Sequence, residues 1–220
     1  MQIRYLGLLP YSDALGMMES IHSELVNNPT QEGAILVVQH PPTVTMGKRE
    51  LYEDMLVPQE QLKFKGVAFH KIDRGGSVTV HEPGQIVVYP IFHIQTYQQT
   101  VRSYVHLLEE AMIETAALYG VKIQRDEINP GVWVGQNKIG AIGIRIKDKV
   151  TKHGIAFNVI NSLETFANIV PCGLHGRGVT NLQMAIRDIP PQQRKMVQLN
   201  YHEVEKYLAQ TIHNKLTLLS

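Results

Sequence analysis

Three short stretches of this 220-residue chain crowd glycine together with polar side chains of distinct types. The first is Arg74-Gly75-Gly76-Ser77-Val78-Thr79-Val80-His81-Glu82-Pro83-Gly84-Gln85. Paired glycines let backbone N–H groups come close to a ligand. A tight turn ahead of a hairpin would use the same glycines, but Arg74, Thr79 and His81 crowd around it. The spacing is neither a dinucleotide fingerprint nor a P-loop. The second stretch, Lys138-Ile139-Gly140-Ala141-Ile142-Gly143, opens an apolar strand with a lysine. Such a lysine either snorkels from a sheet edge, the commoner case, or is buried where an anion needs a cation. Gly140, Ala141 and Gly143 leave the strand bare, with room for backbone or ligand. The third stretch, Val170-Pro171-Cys172-Gly173-Leu174, holds the only cysteine. A free cysteine is most often a small buried hydrophobe. This one lies in a Pro/Gly loop away from any periodic apolar face, and loops display reactive groups. The thiolate is the nucleophile, so a neighbouring cation such as Lys138 would activate it.

Other chemistries find less support. HSELV, HEPGQ and HEVEK lack the second histidine of a zinc helix, and there is no cysteine pair, so no metal site is expected. A Cys–His hydrolase using His175 or His153 has no local signature. Between residues 138 and 152, Lys138, Arg145, Lys147, Lys149 and Lys152 face Asp148 alone. A solvated hairpin tip and a docking patch for an acidic protein both fit that cluster.

The elements that must position these groups alternate along the chain. Residues 2–8 read as a strand and Ser12 to Asn27 as a helix with Leu15, Met18, Ile21 and Leu25 on one face. A buried strand over 34–40 stops at Pro41-Pro42. Strands are expected over 67–73, 77–81 and 85–92, the last two separated by the turn Glu82-Pro83-Gly84. A helix is expected from Thr100 to Tyr119, carrying Val101, Tyr104, Val105, Leu108, Met112 and Ala116, with Gly120 just past its end. Short strands follow over 121–125, 131–135, 138–146 and 153–160, the last two forming an antiparallel hairpin around KDKVTK. Residues 163–190 read as irregular. A closing helix from Tyr201 to Leu216 turns Val204, Tyr207, Leu208 and Ile212 inward. The sum is an α+β fold with a mixed, mainly antiparallel sheet flanked by helices, because the strands cluster mid-chain.

Composition bounds the rest. Apolar residues make up 44% and charged residues 19%, with a formal net charge of +1. This is ordinary globular composition, and one domain over residues 1–220 is expected. Nothing global calls for nucleic acid or membrane binding, and no run nears the roughly 20 apolar residues that span a bilayer. One cysteine cannot form an internal disulfide, and the first residues carry no targeting pattern, so a cytoplasmic protein is expected.

Taken in order, the motifs resemble the lipoyl(octanoyl) transferases, the octanoyl carrier-protein:protein transferases of lipoate synthesis. The family pattern is RGG-x-VT-x-H-x-PGQ, then K-I-x-AIG, then HG-x-A-x-N, then PCG. It falls on Arg74 to Gln85, Lys138 to Gly143, His153 to Asn158 and Pro171 to Gly173. The similarity extends from His40 to about Leu182. At the x before Pro83 the family usually has glycine, and Glu82 is a departure from that usage. The resemblance implies a fold like the catalytic domain of biotin and lipoate ligases, with Cys172 as nucleophile and Lys138 as the residue lowering its pKa. It implies substrate contacts from Arg74, Gly75, Gly76, Ser77, Val78, Thr79, Val80 and His81, from Ala141, Ile142 and Gly143, and from Gly154, Ile155 and Ala156. Val78, Val80, Ile142 and Ile155 are expected to line an apolar channel. The implied activity moves an octanoyl group from octanoyl-acyl carrier protein to a lysine of lipoyl domains, those of 2-oxoacid dehydrogenases and the glycine cleavage H protein. It needs no cofactor of its own. An ATP-dependent lipoate–protein ligase is the alternative, because it shares the fold and a lysine in the same strand.

Overall fold

The computed structural model describes residues 1–126, 129–170 and 176–218. Pro171, Cys172, Gly173, Leu174 and His175 lie outside the described residues. The main sheet runs in the order β1 (Gln2–Leu8), β2 (Ala34–Gln39), β6 (Gln85–Ile91), β10 (Val150–Asn158), β9 (Asn137–Lys147), β8 (Gly131–Val134) and β7 (Gln124–Arg125). A short β11 (Gly178–Val179) adds to the start of β9. A second sheet orders β4 (Ala68–Lys71), β3 (Thr43–Met46) and β5 (Val78–His81). Parallel pairs join β1 to β2, β3 to β4 and β11 to β9; the remaining pairs are antiparallel. The fold is thus α+β with a mixed, mainly antiparallel sheet.

Burial explains the layers. Strand β2 reads AILVVQ and is apolar until its last residue, as a strand covered on both faces must be. Ile35 and Val37 join a core with α3 (Val101–Leu118) and α5 (Tyr201–Thr217). Leu36 and Val38 join the core on the opposite face, under α1 (Tyr11–Asn27). In α1 the buried Ala14, Met18, Ile21 and Leu25 keep the spacing of one helical stripe. Thr100 and Ser103 close a capping box on α3, and Gly120 at φ +77° ends it. The small sheet has its own core of Val44, Met46, Val78, Val80, Phe166 and Ile169, packed near α2 (Gln59–Phe64) through Leu62.

Several expectations are corrected. The chain resumes as β3 immediately after Pro41-Pro42, pairing with both β4 and β5. Residues 163–190 are not irregular throughout: they hold a 3₁₀ helix at Glu164–Asn168, β11, and α4 (Leu182–Asp188), capped by the Asn181 side chain. The strand expected over 121–125 shrinks to Gln124–Arg125. The hairpin tip is only Asp148-Lys149, at φ +50° and +64°, as a two-residue primed turn requires. Val101 and Tyr207 face outward, 57% and 38% exposed. Among the described residues, no helix is long and apolar enough to cross a membrane.

Candidate active site

The middle of β9 and β10 is a trough of missing side chains. Gly143 pairs with Gly154 and Ala141 with Ala156, two steps apart, so all four share one face. Arg74 lies across it; a Cβ at Gly143 would meet the Arg74 Cδ at 2.7 Å. The Arg74 guanidinium donates to the Thr45 carbonyl at 2.7 Å, to Thr45 Oγ1 at 2.9 Å and to the Gly75 carbonyl at 2.9 Å. The Gly75 N–H donates to the Ile144 carbonyl at 3.0 Å. These bonds hold the glycine loop and the small sheet over the trough. The narrow cleft they enclose, about 40 Å³, is also lined by Tyr11, Gly76, Thr79, His81, Tyr89 and His153.

A contiguous inner cavity shares Thr79, Ala141 and Ala156 with that cleft and adds Gln85, Lys138, Asn158, Phe166 and Val179. Lys138 is 6% exposed. Its Nζ lies 5.2 Å from the centre of the Trp133 ring, which also stacks with the Arg177 guanidinium at 3.5 Å. Gly131, at φ +122°, makes the room: a Cβ there would meet the Lys138 Cε at 2.8 Å and the Gly140 carbonyl at 2.4 Å. Beside the cavity, the Gln85 amide donates to Asn158 Oδ1 at 2.9 Å and to the Val80 carbonyl at 3.1 Å. Its Oε1 therefore accepts from His81 Nδ1 at 2.8 Å.

The other end of the cleft is a buried polar network. His40 Nδ1 donates to the Leu9 carbonyl at 2.7 Å, and burial holds its pKa down to about 4. The ring is then neutral, so Nε2 accepts from the Tyr89 hydroxyl at 2.9 Å. Burial likewise pushes the His81 and His153 rings below the usual histidine range. His153 Nε2 donates to Asp73 Oδ1 at 2.8 Å. That hydrogen bond, then the nearby positive charge, hold the Asp73 carboxyl well below the carboxylate range. Lys152, 3% exposed, pairs with Asp73 at 3.2 Å and Glu19 at 2.5 Å. His153 sits at φ +58° within β10, a left-handed backbone conformation that is uncommon for non-glycine residues inside a strand.

The lipoyl protein ligase A/B catalytic domain matches residues 10–203 of this chain. The chain belongs to that family. Within the wider lipoyl ligase and transferase group, an octanoyltransferase of Caldicellulosiruptor saccharolyticus is 45% identical over 185 residues, covering 83% of this chain and 78% of that protein. A mitochondrial octanoyltransferase of Arabidopsis thaliana is 38% identical over 194 residues, covering 88% and 82%. Among solved structures, lipoate-protein ligase A bound with ATP superposes with a TM-score of 0.75 at 16% identity, covering 99% of this chain and 86% of that one. The biotin protein ligase of Aquifex aeolicus gives 0.52 at 10%, covering 99% and 69%. At such identities these likenesses speak of the fold, the catalytic-domain fold of lipoate and biotin ligases.

In this lipoyl ligase-type domain, the structure brings Arg74, Gly76, Thr79, His81, Ala141, Ile142, Gly143, Gly154, Ile155 and Ala156 to one cleft, with Lys138 beside it. Gly75 serves the loop's backbone bonding, and Ser77 is fully buried with no partner for its Oγ among the described residues. Val78 and Val80 do not line the cleft. They alternate with Thr79 and His81 on β5 and point into the small sheet's core. Ile142 and Ile155 border the cleft but also pack with the α3/α5 core. The trough is therefore floored by glycine and alanine rather than by an apolar channel of valine and isoleucine. The basic cluster also divides: Lys138 and Lys152 are buried, whereas Lys147 and Lys149 are exposed. Sequence reading missed Tyr11, Tyr89, His40 and Asp73. The signal available was period two: Tyr89 shares the face of Val87. Cys172 lies outside the described residues. An open groove of about 770 Å³ beside Arg102, His106 and Lys215 contains none of the motif residues.

Proposed function

We propose that this enzyme is an octanoyltransferase, moving an octanoyl group from octanoyl-acyl carrier protein to the ε-amine of a lipoyl-domain lysine through a thioester on Cys172. Its acceptors are the lipoyl domains of 2-oxoacid dehydrogenases and the glycine cleavage H protein. The observation that carries this reading is the placing of buried Lys138 on an inner cavity that shares Thr79, Ala141 and Ala156 with the motif-lined cleft. Relatives named octanoyltransferase at 38–45% identity support the transferase over the ATP-dependent ligase.

In the first step the Cys172 thiolate adds to the thioester carbonyl, the carbonyl is restored, and the carrier thiolate leaves and takes up a proton. One thioester replaces another, so the step is close to level and needs no ATP or cofactor. In the second step the lysine amine adds to the Cys172 thioester. The C–S bond breaks, an amide forms, and the amine's proton restores the thiol. Amide formation from a thioester is downhill and drives the sequence. Lys138 stabilises the thiolate and the oxyanion of each tetrahedral intermediate. The trough takes the acyl chain, each buried CH₂ contributing roughly 0.8 kcal/mol. A reducing compartment, the cytoplasm, keeps the thiol free.

Mass spectrometry after mixing with octanoyl carrier protein, without ATP, tests the proposal. The wild type should gain the octanoyl mass and lose it to added lipoyl domain, and Cys172→Ser should gain none. A Cys172→Ser protein that still transfers the group would sink the mechanism, and a strict need for ATP would turn the reading to the ligase.

A further inference from the structure

Glu82 stands at the end of β5, in the turn to β6, and is 2% exposed. Carboxyl groups are seldom buried without a cation. Here the partners among the described residues are three N–H groups of one distant segment. Oε1 accepts from the Leu163 N–H at 2.6 Å and from Asn161 Nδ2 at 3.0 Å, and Oε2 accepts from the Thr165 N–H at 3.2 Å. That segment opens the 3₁₀ helix Glu164–Asn168. Leu163 occupies its N-cap position at φ +66° and has no capping side chain; Ser162 Oγ accepts from the Glu164 N–H at 3.3 Å, which leaves the Leu163 and Thr165 N–H groups to Glu82. The first N–H groups of a helix need acceptors from outside it, and a left-handed leucine persists only when its surroundings hold it. Glu82 meets both needs from another strand. The backbones also touch: the Ile160 N–H donates to the Gly84 carbonyl at 3.1 Å, and a Cβ at Gly84 would lie 2.7 Å from the Asn161 nitrogen.

Two features depend on this helix. Phe166 lines the inner cavity together with Lys138 and Ala141. Beyond it, the Val170 N–H donates to the Asp54 carbonyl at 2.7 Å, two residues before Cys172 in the sequence.

We infer that Glu82 is a positioning residue for acyl transfer, clamping the 161–165 segment so that the Phe166 wall and the chain leading to Cys172 keep one geometry. The inference rests on the acyl-transfer reading above.

The test compares wild type, Glu82→Gln and Glu82→Gly. NMR hydrogen exchange follows the Leu163 and Thr165 amides, with amides of β6 and β10 as internal reference. Single-turnover acylation of Cys172 by a small octanoyl thioester is timed on the same proteins. In Glu82→Gly, exchange at Leu163 and Thr165 should rise on the order of tenfold, the scale of one lost cap, with the reference amides unchanged. Acylation should slow by a similar factor. Glu82→Gln keeps one carbonyl oxygen and should fall between. Unchanged exchange at Leu163 and Thr165 overturns the clamp. Faster exchange with wild-type acylation overturns the positioning role, and so does a rise shared equally by the reference amides. If the wild type takes no acyl group, the functional reading fails, while the exchange data still decide the clamp.

Discussion

At Lys138 the surroundings have been cleared for one side chain. Gly131 adopts φ +122° and leaves its Cβ volume to the lysine's own stem. Burial at 6% exposure would be wasteful for a cation with only structural work, because desolvating a charge is costly. Lys138→Met keeps most of the stem and removes the charge. It is expected to lower single-turnover acylation by about 10²–10³, the scale of losing one oxyanion donor, and to move the alkylation profile of Cys172 toward higher pH. An alkylation–pH profile identical to wild type would rule out thiolate activation by this lysine.

At the scale of the elements, two glycines facing each other on β9 and β10 make opposite forecasts. A Cβ at Gly154 would lie 2.0 Å from the Val88 carbonyl, a backbone atom in the paired strand β6. Gly154→Ala should force the strands apart and cost about 2–4 kcal/mol in urea unfolding. A Cβ at Gly143 would clash with the Arg74 Cδ, at 2.7 Å, part of a flexible side chain, while the Gly75 carbonyl, at 3.4 Å, stays at ordinary contact distance. Gly143→Ala should fold with a loss below about 1 kcal/mol yet lower kcat/KM for octanoyl transfer by displacing Arg74. Equal stability losses would refute the distinction. The elements themselves were largely legible in the sequence: α1, β2, β6, α3 and the β9–β10 hairpin follow from periodicity and turn residues. Strand β3 was not, because Pro41-Pro42 reads as a stop while the next four residues are too few to declare a strand. Helix α4 was masked by Gly and Pro around it, its cap Asn181 being the one local signal. The motif residues were legible as chemistry. Their facing was not, since Val78 and Thr79 differ only in which side of β5 they take.

Over the whole molecule, the buried histidines set the pH response. His40, His81 and His153 all have pKa values lowered by burial, so the folded protein refuses protons that the unfolded chain takes up below about pH 6.5. For a base lowered in the folded state, stability is complete above that unfolded value and is lost as pH falls. The loss from His40 continues until about pH 4. Asp73, also lowered, adds a loss that begins near the ordinary carboxylate range. Stability in urea should therefore fall from pH 7 to pH 5, with a slope approaching roughly 1.4 kcal/mol per pH unit for each of His40 and His81. A flat midpoint across that window would contradict the neutral network.

The trough on β9 and β10 has a bearing on the protein's possible descendants. Two of its four floor positions are already glycine and the other two alanine. Almost every mutation there adds atoms, and none at Gly143 or Gly154 can remove them. Under the acyl-transfer reading, selection acting on Gly143 or Gly154 moves cargo preference in one direction, toward shorter chains. A lineage that came to prefer longer ones has two routes: trimming Ala141 or Ala156 to glycine, or changing the walls at Tyr11, Tyr89 or His153.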